Sequence, residues 1–224
     1  WEPTEAAAER ALDRASDADL VVKNSGVGAL DAFLNREVLA CQDAATDVVY
    51  WDVDAPATLT RMEEEADDPF RQLVPRYDAV FTYGGGPPVV EGYRAFGARA
   101  CHPIYNALDP ETHHPVDPVD EYRADLSFLA NRLPDREARA DEFFFGPAGR
   151  LADRRFLLGG SGWEDKPRPD NVAYLGHVYT DDHNAFNCSA RAVLNVNRQS
   201  MADYGYSPPT RVFEAAGAGA CLIS

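Results

Sequence analysis

Short apolar runs alternate along the whole chain with stretches in which apolar residues recur every three or four positions. The runs read as strands and the spaced stretches as helices, because side chains repeat with a period of 2 on a strand and about 3.6 on a helix. In the first half this pattern predicts strands at 19–23, 47–51, 78–82 and 99–104. Helices are predicted at 28–40, 57–66 and 89–96, after a polar, alanine-rich helix that opens the chain. The second half repeats the scheme, with strands at 125–129, 155–158, 172–175, 192–196 and 220–223 and helices at 135–145, 181–187 and 208–216. Strands that alternate with helices in this way form parallel sheets covered on both faces.

Between the halves, residues 106–120 hold three prolines and many polar side chains, the composition of a linker. The expected organisation is therefore a first α/β domain at 1–107, a linker at 108–121 and a second α/β domain at 122–224, with a cleft between them. The chain opens on Trp1 and stops on an apolar strand, so the pattern reads as two domains truncated at both ends.

Charge sharpens this division. The net charge is −16, which argues against nucleic acid and anionic membrane surfaces as partners. Residues 1–121 carry 9 Lys+Arg against 24 Asp+Glu, whereas residues 122–224 carry 12 against 13. The nearly neutral second half is thus the better place for a phosphorylated ligand. Hydrophobic residues make up 45% of the chain, enough for a packed core, yet no run approaches the ~20 residues of a membrane span. Cys41, Cys101, Cys188 and Cys221 are scattered and form no C-x-x-C pair, which suits reduced thiols in a cytoplasmic protein.

The richest stretch is 207–224, SPPTRVFEAAGAGACLIS, which reads as a helix running into a buried strand. Ser207 is placed to cap that helix and the prolines suit its first turn, leaving backbone N–H groups to meet an anion. Glu214, two turns on, could accept from ribose hydroxyls while the helix tip holds a diphosphate. The alternative is an amphipathic helix with one exposed glutamate. Arg132 and Arg136 flank the end of one strand, where they could clamp a diphosphate or instead pair with Asp135 and Glu137. Asn197, in the polar run 195–200, follows a neighbouring strand and should face the same edge. Asp52 and Asp54 end a strand of the first half; either is a candidate general base, and D-x-D metal binding is the weaker reading. The glycines of 82–88, TYGGGPP, follow a strand and form either a ligand loop or a tight turn, without dinucleotide or Walker spacing. His113, His114, His177 and His183 have no zinc-motif spacing and read as linker or capping residues, with a place lining the cleft as the alternative for His177.

In that setting, TRVFEAAGAGA around Glu214 resembles the nucleotide-sugar signature of the two-domain GT-B glycosyltransferases. The stretches YGGGPP from Tyr83, PIYNALD from Pro103, NRLPDRE from Asn131 and LGHVYT from Leu175 are similar to those of the CgeB family, the spore maturation protein B-like glycosyltransferases. The resemblance covers nearly the whole chain. It implies two Rossmann-like domains and metal-independent sugar transfer from a nucleotide-sugar donor to an unknown glycan, protein or small-molecule acceptor. No cofactor is implied. By position, Glu214 would bind ribose, Arg132 and Arg136 would face the diphosphate, and Thr210 and Arg211 would lie at the helix start. Related enzymes often carry a further glutamate eight residues before the ribose-binding one, where this chain has Tyr206. A noncatalytic sugar-nucleotide or glycan-binding protein and a sugar-nucleotide epimerase are the alternatives with the same architecture.

Overall fold

The computed structural model describes residues 2–15, 17–26 and 28–224; Trp1, Ser16 and Val27 lie outside the description. Two compact units result. One holds the chain up to Tyr105 together with Tyr204–Ser207, and the other holds Asn106–Asp203 and Pro208–Ser224.

The first unit runs α1 (Glu5–Ala15), β1 (Leu20–Asn24), α2 (Asp31–Glu37), β2 (Asp47–Asp52), α3 (Ala55–Glu64), β3 (Ala79–Thr82), α4 (Gly86–Ala95) and β4 (Cys101–Pro103). Its sheet has the order β1-β2-β3-β4, with every pair parallel. Val48, Val49 and Tyr50 are buried in succession along β2, as expected where both faces of a parallel strand are covered. Val48 and Tyr50 pack with Leu59, Met62, Tyr77, Val80, Val89 and Tyr93 in one core. The helix predicted at 28–40 is shorter, because after Glu37 the chain tightens into a 3₁₀ turn, Val38–Cys41.

The glycine run after β3 makes a close approach to the unit's own chain. Gly84, Gly85 and Gly86 all have positive φ, where a side chain is strained. Gly85 N donates to Tyr206 O at 2.9 Å, and a Cβ on Gly86 would lie 2.7 Å from Tyr206 Cγ. The loop is therefore shaped to receive residues 206 and 207.

The second unit runs β5 (Leu126–Leu129), α5 (Pro134–Ala140), α6 (Gly146–Arg150), β6 (Phe156–Gly159), β7 (Val172–Tyr174), α7 (His183–Ser189), β8 (Val193–Leu194), α8 (Gln199–Tyr204, its last residue packed in the first unit), α9 (Thr210–Gly217) and β9 (Leu222–Ile223). Its parallel sheet is ordered β7-β6-β5-β8-β9. Successive side chains of β6 point to opposite faces: Phe156 and Leu158 join Phe128, Phe144 and Trp163, while Leu157 joins Leu129, Val178 and Phe186. The helix predicted at 135–145 is α5 followed by a π turn, Asp141–Phe145, which buries Phe144 and Phe145 before α6 begins. The predicted linker does not stand apart. Val119 N donates to Ser189 Oγ at 2.8 Å and Asn184 Nδ2 to Thr112 O at 2.8 Å, which fastens the segment to α7.

Candidate functional site

In the second unit β5, β6 and β7 succeed one another towards one side, and β8 and β9 lie on the other. The winding reverses between β5 and β8. Connections leaving their C-terminal ends diverge there, and the crevice left at such a reversal is where open α/β sheets bind ligands. The residues past β5 and β8 are thus the first place to look for chemistry.

Past β5, the backbone of Arg132 donates to Ser161 O at 2.9 Å, and Asn131 Oδ1 accepts from Ser161 N at 2.9 Å. The Arg132 guanidinium forks onto Glu137, with Nε to Oε2 at 2.9 Å and Nη2 to Oε1 at 2.8 Å, and also reaches Asp165 at 2.8 Å. Lys166 Nζ meets Glu137 Oε1 at 2.8 Å. Hydrogen bonds from Arg132 and Lys166 hold the Glu137 carboxyl down at about 2. Arg136 donates to Asn131 O at 3.0 Å and keeps a buried Nε with no hydrogen-bond partner among the described residues. Burial lowers its pKa. Of the expected carboxylate partners, Glu137 pairs with Arg132, while Asp135 pairs with Arg198 at 2.7 Å. Past β8, the buried Asn195 amide donates to Asn197 Oδ1 and to Ser224 Oγ, each at 2.9 Å.

The helix start differs from the expectation. It begins at Thr210 with Pro209 in the capping position, and no side chain caps it. Ser207 instead donates to Gly205 O at 3.0 Å and is buried in the first unit, because the tight fit of 206 and 207 against the glycine loop fixes its place. Ser207 is therefore not the cap. Thr210 is exposed, and Glu214 lies about one turn into the helix rather than two.

Glu214 faces a buried polar cluster. Its Oε2 lies 2.6 Å from Arg211 Nη1 and 3.9 Å from His183 Nδ1. The Arg211 contact is an ion pair without hydrogen-bond angles: Glu214 Oε2, Arg211 Nε and Nη1, His183 Nδ1 and both ring nitrogens of His113 are buried with no hydrogen-bond partner among the described residues. The Glu214 side chain keeps 16% exposure, so Oε1 is the oxygen left to meet a ligand. The sequence concealed this cluster because His113, His183 and Glu214 are far apart in the chain and obey no local spacing rule.

In the first unit, Asp52 is fully buried. Tyr93 Oη donates to its Oδ2 and Asp54 N to its Oδ1, so it is withdrawn from solvent and spoken for as an acceptor. Only Asp54, half-buried just ahead of α3, remains a candidate base. A cavity of about 560 Å³ in the second unit lies between residues 111–119 and α7, but Glu111, Asp117 and Asp181 line it, which disfavours a diphosphate.

Residues 136–224, which hold Arg136, Arg211 and Glu214, match the family described as glycosyl transferase-like. The similarity is to this segment, less than half of the chain. Among solved structures, Anabaena HepE with UDP and glucose aligns over 96% of this chain and 61% of its own, at 15% identity and a TM-score of 0.62. Sucrose-phosphate synthase from Thermosynechococcus elongatus aligns over 96% and 58%, at 13% identity and a TM-score of 0.64. An alpha-glucosyltransferase in complex with UDP and a 13-mer DNA containing a HMU base aligns over 96% and 62%, at 15% identity and a TM-score of 0.60. The chain thus has the fold of GT-B glycosyltransferases and spans about three fifths of the length of these structures. No curated protein matches it by sequence. Among the described residues no helix is long and apolar enough to cross a membrane.

Proposed function

We propose that this chain is part of a glycosyltransferase that moves a sugar from a nucleotide-sugar donor to a glycan, protein or small-molecule acceptor. The observation that carries the reading is Glu214, on a helix with no side-chain cap, inside the segment that matches the glycosyl transferase-like family. Its Oε1 accepts from the ribose hydroxyls. The start of α9 at Thr210 and Arg211, together with Arg132 and Arg136 past β5, faces the diphosphate, and Asn197 lines the donor side. Arginines and helix N–H groups supply the positive field as the diphosphate leaves, so transfer needs no magnesium or manganese. Asp54 is the candidate acceptor-side base. The stretches from Tyr83, Pro103, Asn131 and Leu175 support the finer assignment to the CgeB-like group, and the scattered thiols support a cytoplasmic setting. The UDP bound in two of the solved structures above favours UDP-sugars as the first donors to test.

One observation favours a second reading. The Arg132 guanidinium is already held by Glu137 and Asp165, so a diphosphate must compete for it. A noncatalytic sugar-nucleotide-binding protein tolerates that competition better than an enzyme does. Thermal shift with UDP-, GDP-, ADP- and dTDP-sugars tests both readings, since a ligand at 100 times its Kd adds about 2.7 kcal/mol of stability. Stabilisation by none of them sinks the donor site. Stabilisation without hydrolysis or transfer by the full-length protein selects the binding protein, and transfer that survives removal of magnesium and manganese selects the enzyme proposed.

A further inference from the structure

The buried cluster behind Glu214 contains two lone pairs that face each other. His183 Nε2 lies 3.3 Å from the carbonyl oxygen of Val178. A carbonyl only accepts, so Nε2 carries the proton, and in the neutral ring Nδ1 carries a lone pair. Its Nδ1 looks at Glu214 Oε2 across 3.9 Å, and both atoms are buried without a hydrogen-bond partner among the described residues. Opposed buried acceptors are costly unless a cation or a donor stands between them. His113 completes the group: one donor atom from each of His113, His183 and Glu214 lies within 4.8 Å of the others.

We propose that His113, His183 and Glu214 bind one zinc ion that ties the segment around His113 to α7 and α9. Two imidazoles and a carboxylate are a recognised zinc donor set, with a fourth position left for water. Bond lengths of about 2.0–2.2 Å put tetrahedral donors about 3.4 Å apart, so the His183–Glu214 pair needs to close by only about half an ångström. The Val178 carbonyl is the outer partner that fixes a metal-binding histidine in its ring orientation. The scaffold is in place as well. Asn184 accepts from His114 N at 3.3 Å and donates to Thr112 O at 2.8 Å, which holds His113 beside the start of α7. On α9, a Cβ at Gly217 would lie 3.1 Å from His113 O, so glycine there lets the segment sit close. Arg211 opposes the ion, because its guanidinium already shares Glu214 Oε2. Zinc on Oε2 leaves Oε1 for another partner, and the site does not depend on the donor reading.

The test uses the whole chain, stripped of metal and titrated with zinc alone against a chelating dye, and with cobalt(II) as a spectroscopic stand-in. One equivalent should bind. Loss of outer-shell partners typically weakens a metal site about 10–100-fold, so His113→Ala and His183→Ala should each weaken it by about 100-fold or more. His114→Ala and His177→Ala should leave it unchanged. Arg211→Met, which removes the competing cation, should tighten binding, and it keeps the result readable if either histidine variant fails to fold. The cobalt complex should show d–d bands without thiolate charge transfer, which separates this site from the four free cysteines. Absence of one-equivalent binding, binding that survives both histidine changes, a thiolate band, or binding no tighter in Arg211→Met overturns the proposal.

Discussion

Asp52 in the first unit and Glu214 in the second invite comparison, because each carboxylate was a candidate for chemistry and each ended in a different state. Asp52 has no exposure, and both its oxygens accept a hydrogen bond, from Tyr93 and from the backbone of Asp54. Glu214 keeps some exposure and has an inner oxygen with no hydrogen-bond partner among the described residues. A buried carboxylate whose lone pairs are filled by its own chain holds structure together. One left incompletely filled is poised for something the chain does not supply. Satisfaction, rather than acidity or position at a strand end, separates the two.

The largest effect should come from breaking the satisfied member. Asp52→Ala strands the Tyr93 hydroxyl inside the core and frees the part-buried Asp54 amide, at about 1–3 kcal/mol for a buried orphaned group. Denaturant unfolding should show a loss of about 3 kcal/mol; a variant as stable as the parent would mean that the pair holds nothing. Glu214→Gln comes next, and its effect should appear in binding. Loss of a charge-assisted hydrogen bond of about 1.5–3 kcal/mol should weaken the nucleotide-sugar donor by about ten- to a hundredfold. Equal affinity of variant and parent for both nucleoside and donor, measured by calorimetry, would reduce Glu214 to a helix glutamate.

Arg132→Ala should have a smaller effect, about tenfold or less, because the guanidinium must leave Glu137 and Asp165 to reach a phosphate. Diphosphate ligands should weaken and a free nucleoside should not; equal weakening of both would place Arg132 in general scaffolding. The smallest effect concerns pH. Glu137 is held at about 2 against an ordinary 4.5, so its contribution to stability is complete above about pH 4.5 and fades as the pH falls towards 2. Glu137→Gln should flatten that part of the acid-unfolding curve, and an unchanged curve would show that the Arg132–Glu137–Lys166 network adds no linkage.

The positions of the buried strands were legible because buried parallel strands read as apolar runs. Runs at 47–51 and 155–158 correspond to β2 and β6, whose central residues are buried in succession. Helix ends were less legible, since they depend on packing. Phe144 and Phe145 turn inward through a π turn that no periodicity announces, and α8 is a short polar segment with one buried residue, Met201. Ser207 was misread for a related reason: capping chemistry is local, but its actual partner surface is the glycine loop, distant in sequence. The helix and strand around Glu214, α9 and β9, could be read because their pattern is concentrated in one stretch. His113 and His183 could not, because only the fold brings them together.

The embrace of Tyr206 by Gly84–Gly86 also has a consequence for synthesis. These glycines leave the ribosome long before Tyr206, with most of the second unit still to be made between them. At about 5–20 residues per second, the loop waits several seconds for the segment that covers it. Until then the first unit exists only in an unfinished form, and a stall or cleavage between the two stretches would leave that form as the end product.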